Sequence, residues 1–229
     1  MPAKKTSNIK LISLDLYRTL IDVDCSLPQV WKVFLGDTYT PELGAKYWAR
    51  ATEIVINNLT AAALNNHEFK NARAIYVDTY TTLFAEIHLD FDPEEAASVL
   101  IRGHQVDRLF DDVRPFLKSI REKYRVCLST DADTEMLTGI GNIFPFDHIF
   151  ISEELQAYKH NPKFFQQVID YYKVNPENIL HIGDSYHDIL TPKQLGIVTC
   201  WLNRQNRPWQ HEVKPDFEVK SLAEVLKIL

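Results

Sequence analysis

Cysteine is scarce in this chain. Cys25, Cys127 and Cys200 stand far apart with no Cys-x-x-Cys pair, which excludes a disulfide framework and a zinc knuckle and fits a reducing compartment. Glycine (7) and proline (11) are too few for collagen-like or low-complexity architecture. No apolar run exceeds the length of a strand, so no transmembrane helix is expected. The two lysines of MPAKKTSNIK have no apolar stretch behind them, so no signal peptide is predicted. Positive charge is not in excess either: 25 Lys and Arg against 31 Asp and Glu leave −6 over 229 residues. That balance is a poor match for nucleic acid, although a few local cations suffice for a small anionic substrate. The expectation is a cytoplasmic protein, monomer or homodimer, without a nucleic-acid or membrane partner.

What is present is ordinary for a globular chain, 45% apolar and 24% charged residues. The length fits one large domain or a domain carrying an insert. Ile9 to Leu16 reads as a strand buried on both faces. Between Pro28 and Arg108 apolar residues recur at three- and four-residue spacing, through Tyr47, Ala51, Ile54 and Val55 and then Ile75, Tyr76, Thr79, Tyr80 and Leu83, which predicts an all-helical block. Asp92-Pro93 reads as an N-cap and first position.

After Asp111 the pattern alternates. Helices are predicted over 113–123, 133–142, 162–173, 188–195 and 221–228. Strands are predicted over 125–129, 147–152, 178–182, 197–202 and 216–219, and Gly196 reads as a glycine past a helix end. Alternation of this kind implies a parallel sheet with helices on both faces. The fold class is therefore α/β, a doubly wound, Rossmann-like core (1–21 and 110–229) with an inserted all-helical cap (22–109). Ligands in such sheets bind at the carboxyl ends of the strands. Asp15, Ser129 and Asp184 stand there, with Lys159 in the turn after the third strand.

Four motifs in order, LISLDLYRTL, VCLST, YKHNPKFF and ILHIGDSYHDI, resemble those of the haloacid dehalogenase superfamily of hydrolases. The likeness runs over essentially the whole chain, and the helical insert resembles that superfamily's cap. It implies a hydrolase with Asp15 as nucleophile, since a strand-end carboxylate can form an ester intermediate. Lys159 would offset the repulsion between that carboxylate and an anionic substrate. Ser129 would hydrogen-bond a substrate oxygen, and Thr19 would brace the loop after Asp15. Asp15, Asp184, Asp188 and a backbone carbonyl at Tyr17 are hard oxygen ligands suited to Mg²⁺. Tyr17, Arg18, Thr19, Thr130 and Arg50 complete the expected substrate-binding set.

Two motifs pull apart. Phosphatases of this superfamily carry a second Asp two residues after the nucleophile, which protonates the leaving alcohol. Tyr17 stands there, as in haloacid dehalogenases, whose halide leaving group needs no proton. The fourth motif, with Asp184 and Asp188, has the phosphatase form. Arg50 is displaced by one residue from the dehalogenase position beside Trp48, a rotation of about 100° on a helix. Clustered carboxylates without a cation would raise one another's pKa, so a Mg²⁺-dependent phosphatase of a small metabolite ranks first. The alternatives are a metal-independent 2-haloacid dehalogenase and a non-catalytic phosphate-ligand-binding protein. His181 reads as a core histidine, His187 as a surface one, Trp31 and Phe34 as cap core, and Arg204, Arg207 and Lys214 as a solvated basic loop.

Overall fold

The computed structural model describes residues 6–24, 27–64, 69–104 and 108–229. Its contacts divide the chain into two units. One comprises Met1–Asp22, Arg108–Asp131 and Ile140–Leu229, and the other Val23–Asp107 with Ala132–Gly139.

A 3-10 turn (Thr6–Asn8) leads into strand β1 (Leu11–Leu14), every residue of which is buried, and the helical unit follows. Helices α1 (Trp31–Leu35), α2 (Pro41–Leu64), α3 (Ala72–Ile87) and α4 (Pro93–His104) follow. Among its described residues this unit holds no strand. Trp31 and Phe34 sit among Tyr80 and Phe84, mostly edge-on. Those rings form the unit's own core, the geometry that aromatic quadrupoles favour. Asn71 caps α3 by accepting from the Ala74 amide, and Asp92 accepts from the Glu94 amide at the start of α4.

The core resumes with α5 (Val113–Ile120), β2 (Arg125–Thr130), β3 (His148–Ile151) and α6 (Ser152–Leu155). It continues through α7 (Pro162–Tyr172), β4 (Ile179–Gly183), α8 (His187–Gln194), β5 (Val198–Leu202), β6 (Phe217–Val219) and α9 (Leu222–Val225). The strands form one parallel sheet in the order β3-β2-β1-β4-β5-β6. The order reverses between β1 and β4, the switch point where doubly wound sheets open a ligand crevice. On one face Leu11, Cys127, Phe150, Ile179 and Ile197 pack with Phe164, Phe165, Val168 and Tyr172 of α7. Cys127 and Cys200 are free and buried, and Cys25 lies outside the described residues. Among the described residues no helix is long and apolar enough to cross a membrane.

The helix expected over 133–142 is two 3-10 turns, Thr134–Leu137 and Ile140–Asn142. Gly139 between them has φ +90°, which ends helical propagation. The Asp133 carboxylate accepts from the backbone amides of Ala72 and Arg73, and Arg73 pairs with Glu135. Those bonds place 132–139 with the helical unit. The basic loop also departs from expectation. Arg204 is partly buried, forks onto Asp112, donates to the Thr19 carbonyl and stacks on Phe110.

Candidate active site

β1 delivers Asp15. The Asp15 amide donates to the Ile182 carbonyl at 2.9 Å, so the β1–β4 ladder holds the backbone of this residue. Its Oδ1 accepts from Lys159 Nζ. Its Oδ2 is buried without a hydrogen-bond partner, and the nearby Thr19 hydroxyl forms no regular bond to it. Burial raises the Asp15 pKa, Lys159 opposes that rise, and Asp188 adds to it.

β4 ends at Gly183, where the next two acids converge. A Cβ on Gly183 would stand 2.3 Å from Asp188 Cγ, so only glycine admits Asp188 to this place. Oxygens of Asp15, Asp184 and Asp188 lie within 4.8 Å of one another. The Asp188 carboxylate is fully engaged. Oδ1 meets Lys159 Nζ at 2.8 Å and His181 Nε2 at 3.0 Å, while Oδ2 accepts from the Ser185 amide at 3.0 Å and its hydroxyl at 2.5 Å. Four partners use the four acceptor positions of a carboxylate. Although burial pushes its pKa upward, Lys159 and His181 together hold Asp188 well below the usual carboxylate range. Asp184 goes the other way. Burial, followed by the charges of Asp15 and Asp188, pushes it up to about 7 against the pull of Arg18 and Arg207. The Asp184 carbonyl accepts from Trp201 Nε1 at 2.9 Å.

Lys159 is buried. Desolvation works against its charge, yet Asp15, Asp188 and Asp131 win and raise its pKa. Asp131, just past β2, accepts from the Lys159 amide at 2.9 Å, which fixes the turn before α7. Ser129 and Thr130 close β2, both fully buried. The Ser129 hydroxyl bonds to Ser13 Oγ at 2.8 Å, whereas Thr130 Oγ1 has no partner.

Asp15, Lys159, Asp184 and Asp188 are therefore together, and Ser129 joins them through Ser13 and His181. Tyr17 and Arg18 follow Asp15 and are half-buried, Tyr17 pairing its backbone with Ile21. Arg18 has φ +62°, an uncommon conformation for a side chain with a Cβ. Arg50 lies on α2 of the helical unit, where it forks onto Glu86 and bonds Glu53. Sequence reasoning missed Ser13, Asp131, Ser185 and Arg207. The polar Ser13 inside LISL was the one local signal, since a buried hydroxyl needs a partner.

A family model described as haloacid dehalogenase-like hydrolase matches residues 9–196. The chain belongs to that family of hydrolases. Pyrimidine 5'-nucleotidase PynA of Streptococcus pneumoniae is 25% identical, over 96% of this chain and 94% of its own. Haloacetate dehalogenase H-2 of Moraxella sp. is 23% identical, over 96% and 98%. Among solved structures, the HAD-hydrolase YfnB of Bacillus subtilis bound to magnesium superposes with a TM-score of 0.80 at 20% identity, covering 96% of this chain and 98% of that one. The last likeness shows a shared fold.

Proposed function

We propose that the protein is a Mg²⁺-dependent phosphatase of small anionic esters that acts through an aspartyl-phosphate at Asp15. The observation that carries this reading is the convergence of three carboxylates within 4.8 Å, with Asp15 Oδ2 unpartnered. The donor set fits Mg²⁺, a hard cation that takes one or two carboxylates plus substrate oxygens. Asp188 has no acceptor position left, so Asp15 and Asp184 would be the carboxylate ligands, and Asp188 would orient Lys159. When bound, the ion supplies positive charge that lets a carboxylate approach a phosphate and favours ionised Asp184.

The chain's own residues supply the rest. Asp15 attacks phosphorus, an O–P bond forms, and the bond to the leaving oxygen breaks. Water then cleaves the acyl phosphate and restores Asp15. Lys159 offsets charge at the nucleophile. No carboxylic acid follows Asp15 at the second position. A Tyr hydroxyl, with an ordinary pKa of about 10, is a weak proton donor at neutrality. Esters with good leaving groups, such as aryl phosphates, should therefore be preferred.

Tyr17 is also the observation that favours a second reading, halide displacement from a 2-haloacid by Asp15. The relatives include proteins named for both chemistries, a nucleotidase and a haloacetate dehalogenase. An aryl phosphate assayed with Mg²⁺, with a chelator, and in Asp15→Asn separates them. The phosphatase reading expects Mg²⁺-dependent turnover that falls by about 10³-fold or more without the nucleophile. Halide release from a haloacid under chelation, with no phosphate release under Mg²⁺, would replace it with the dehalogenase. Phosphate binding without either turnover would leave a binding protein.

A further inference from the structure

We propose that Arg204 is a positioning residue: it pins the turn that follows Asp15 and so holds the nucleophile in its line of attack. The turn is tightly wound. The Leu16 carbonyl accepts from the amides of Leu20 (2.8 Å) and Ile21 (3.0 Å), and the Arg18 amide donates to the Ile21 carbonyl at 2.7 Å. Arg18, inside this turn, stands at φ +62°. A residue with a Cβ keeps that conformation only where its surroundings over-determine it.

Arg204 supplies the restraint from outside. It follows β5, 185 residues along the chain from Thr19, and its Nη2 donates to the Thr19 carbonyl at 2.9 Å. The guanidinium is itself immobilised. Its fork meets both oxygens of Asp112, Nη1 at 3.0 Å and Nη2 at 2.9 Å, and its central carbon lies 4.0 Å from the centroid of the Phe110 ring. Asp112 is fixed in turn, since its Oδ2 also accepts from the Leu222 amide at the head of α9, at 2.8 Å. The Phe110 amide donates to the Leu20 carbonyl at 3.1 Å, so the residue under the guanidinium is tied to the same turn. All of these residues belong to the unit that holds the sheet.

Two bonds to Asp112, a third to Thr19 and face contact with Phe110 demand a planar fork with several fixed donors. A lysine ammonium keeps the charge opposite Asp112 but has neither fork nor plane. Simple charge pairing would survive that exchange, whereas the hold on Thr19 would not.

The path to the nucleophile is short. Thr19 is fully buried, and its hydroxyl lies near the Asp15 carboxyl. Loosening the turn at Thr19 lets that carboxylate drift, while Lys159 stays held by Asp188. The effect on turnover rests on Asp15 being the nucleophile of the phosphatase reading, whereas the pinning of the turn does not.

Arg204→Lys in the full chain tests both. Amide exchange, with neither metal nor substrate present, is read at Arg18, Leu20 and Ile21. With the bond from a charged donor gone, these amides should exchange about tenfold faster or more, while those of α7 keep the parent's rates. With an aryl phosphate and Mg²⁺, kcat should fall about ten- to a hundredfold, the cost of a displaced reacting group. KM should stay within about twofold of the parent, because the loss falls on the chemical step. Parent exchange rates in the turn, or a rise shared equally by α7, show a merely structural role and overturn the pinning whether or not the protein hydrolyses phosphate esters. Faster exchange in the turn with the parent's kcat overturns the positioning of Asp15. Asp112→Asn is the second route, since it leaves Arg204 in place and removes the charge that orients it. The same amides should again exchange faster, and parent rates there would overturn the proposal. A failure of the phosphatase reading shows separately, as a parent protein that turns over no aryl phosphate, and the exchange rates still decide the pinning.

Discussion

Gly183 shows how much of the site hangs on the absence of one carbon. A methyl group there would stand 2.3 Å from Asp188 Cγ and 2.5 Å from its Cβ, contacts that no rotamer of the intruding Cβ relieves. Asp188 must retreat, and with it go bonds to Lys159, His181 and Ser185. We expect Gly183→Ala to lower stability by about 1–3 kcal/mol, the usual range for overpacking, and to reduce turnover beyond what the stability loss explains. Urea titration beside steady-state kinetics on the folded fraction checks this. Unchanged turnover would mean that Asp188 is not needed where it stands. Residues of this kind are half legible in the sequence. Asp15 and Asp184 stand at strand ends and Lys159 in the turn before a helix, positions that alternation marks, and Asp188 is read from the fourth motif, but Ser13 and Asp131 matter only through partners 116 and 28 residues away.

Among elements, those that repeat a period were readable and those that answer to a distant partner were not. β1, β4 and β5 are fully buried, mostly apolar runs, and α7 opens with an Asn cap and Pro162. The segment 132–139 is different. Its local composition suits a helix, yet Asp133 is engaged with the start of α3, accepting 2.8 Å bonds from two amides that no residue of α3 itself satisfies. Removing such a cap typically costs about 1–2 kcal/mol. Asp133→Ala should destabilise the helical unit by that amount, seen as faster amide exchange in α3, while Asn71 keeps the Ala74 amide protected. Exchange that rises equally in β1 and β4 would contradict a local role.

At the scale of the whole molecule, buried carboxyls tie stability to pH and to a bound cation. Asp131 and Asp184 are each pushed up to about 7, chiefly by burial. A carboxyl whose folded pKa is raised binds more protons in the native than in the unfolded state between the two values. Stability from these groups is therefore full below about pH 4 and falls as pH rises towards about 7. A cation that binds only the folded state reverses that loss, by about 2.7 kcal/mol at a hundredfold excess over Kd. We expect the Tm gain from Mg²⁺ over chelator to be larger at pH 8 than at pH 5, and to disappear in Asp184→Asn. A gain that persists in that variant would place the ion elsewhere. The sequence by itself determined the alternation of strand and helix, the helical insert and the rim of acids, because periodicity and strand-end position are local properties. Only the tertiary structure decided which of those acids has a free oxygen and which is saturated. That depends on atoms from distant parts of the chain meeting within hydrogen-bond distance, and no local pattern encodes it.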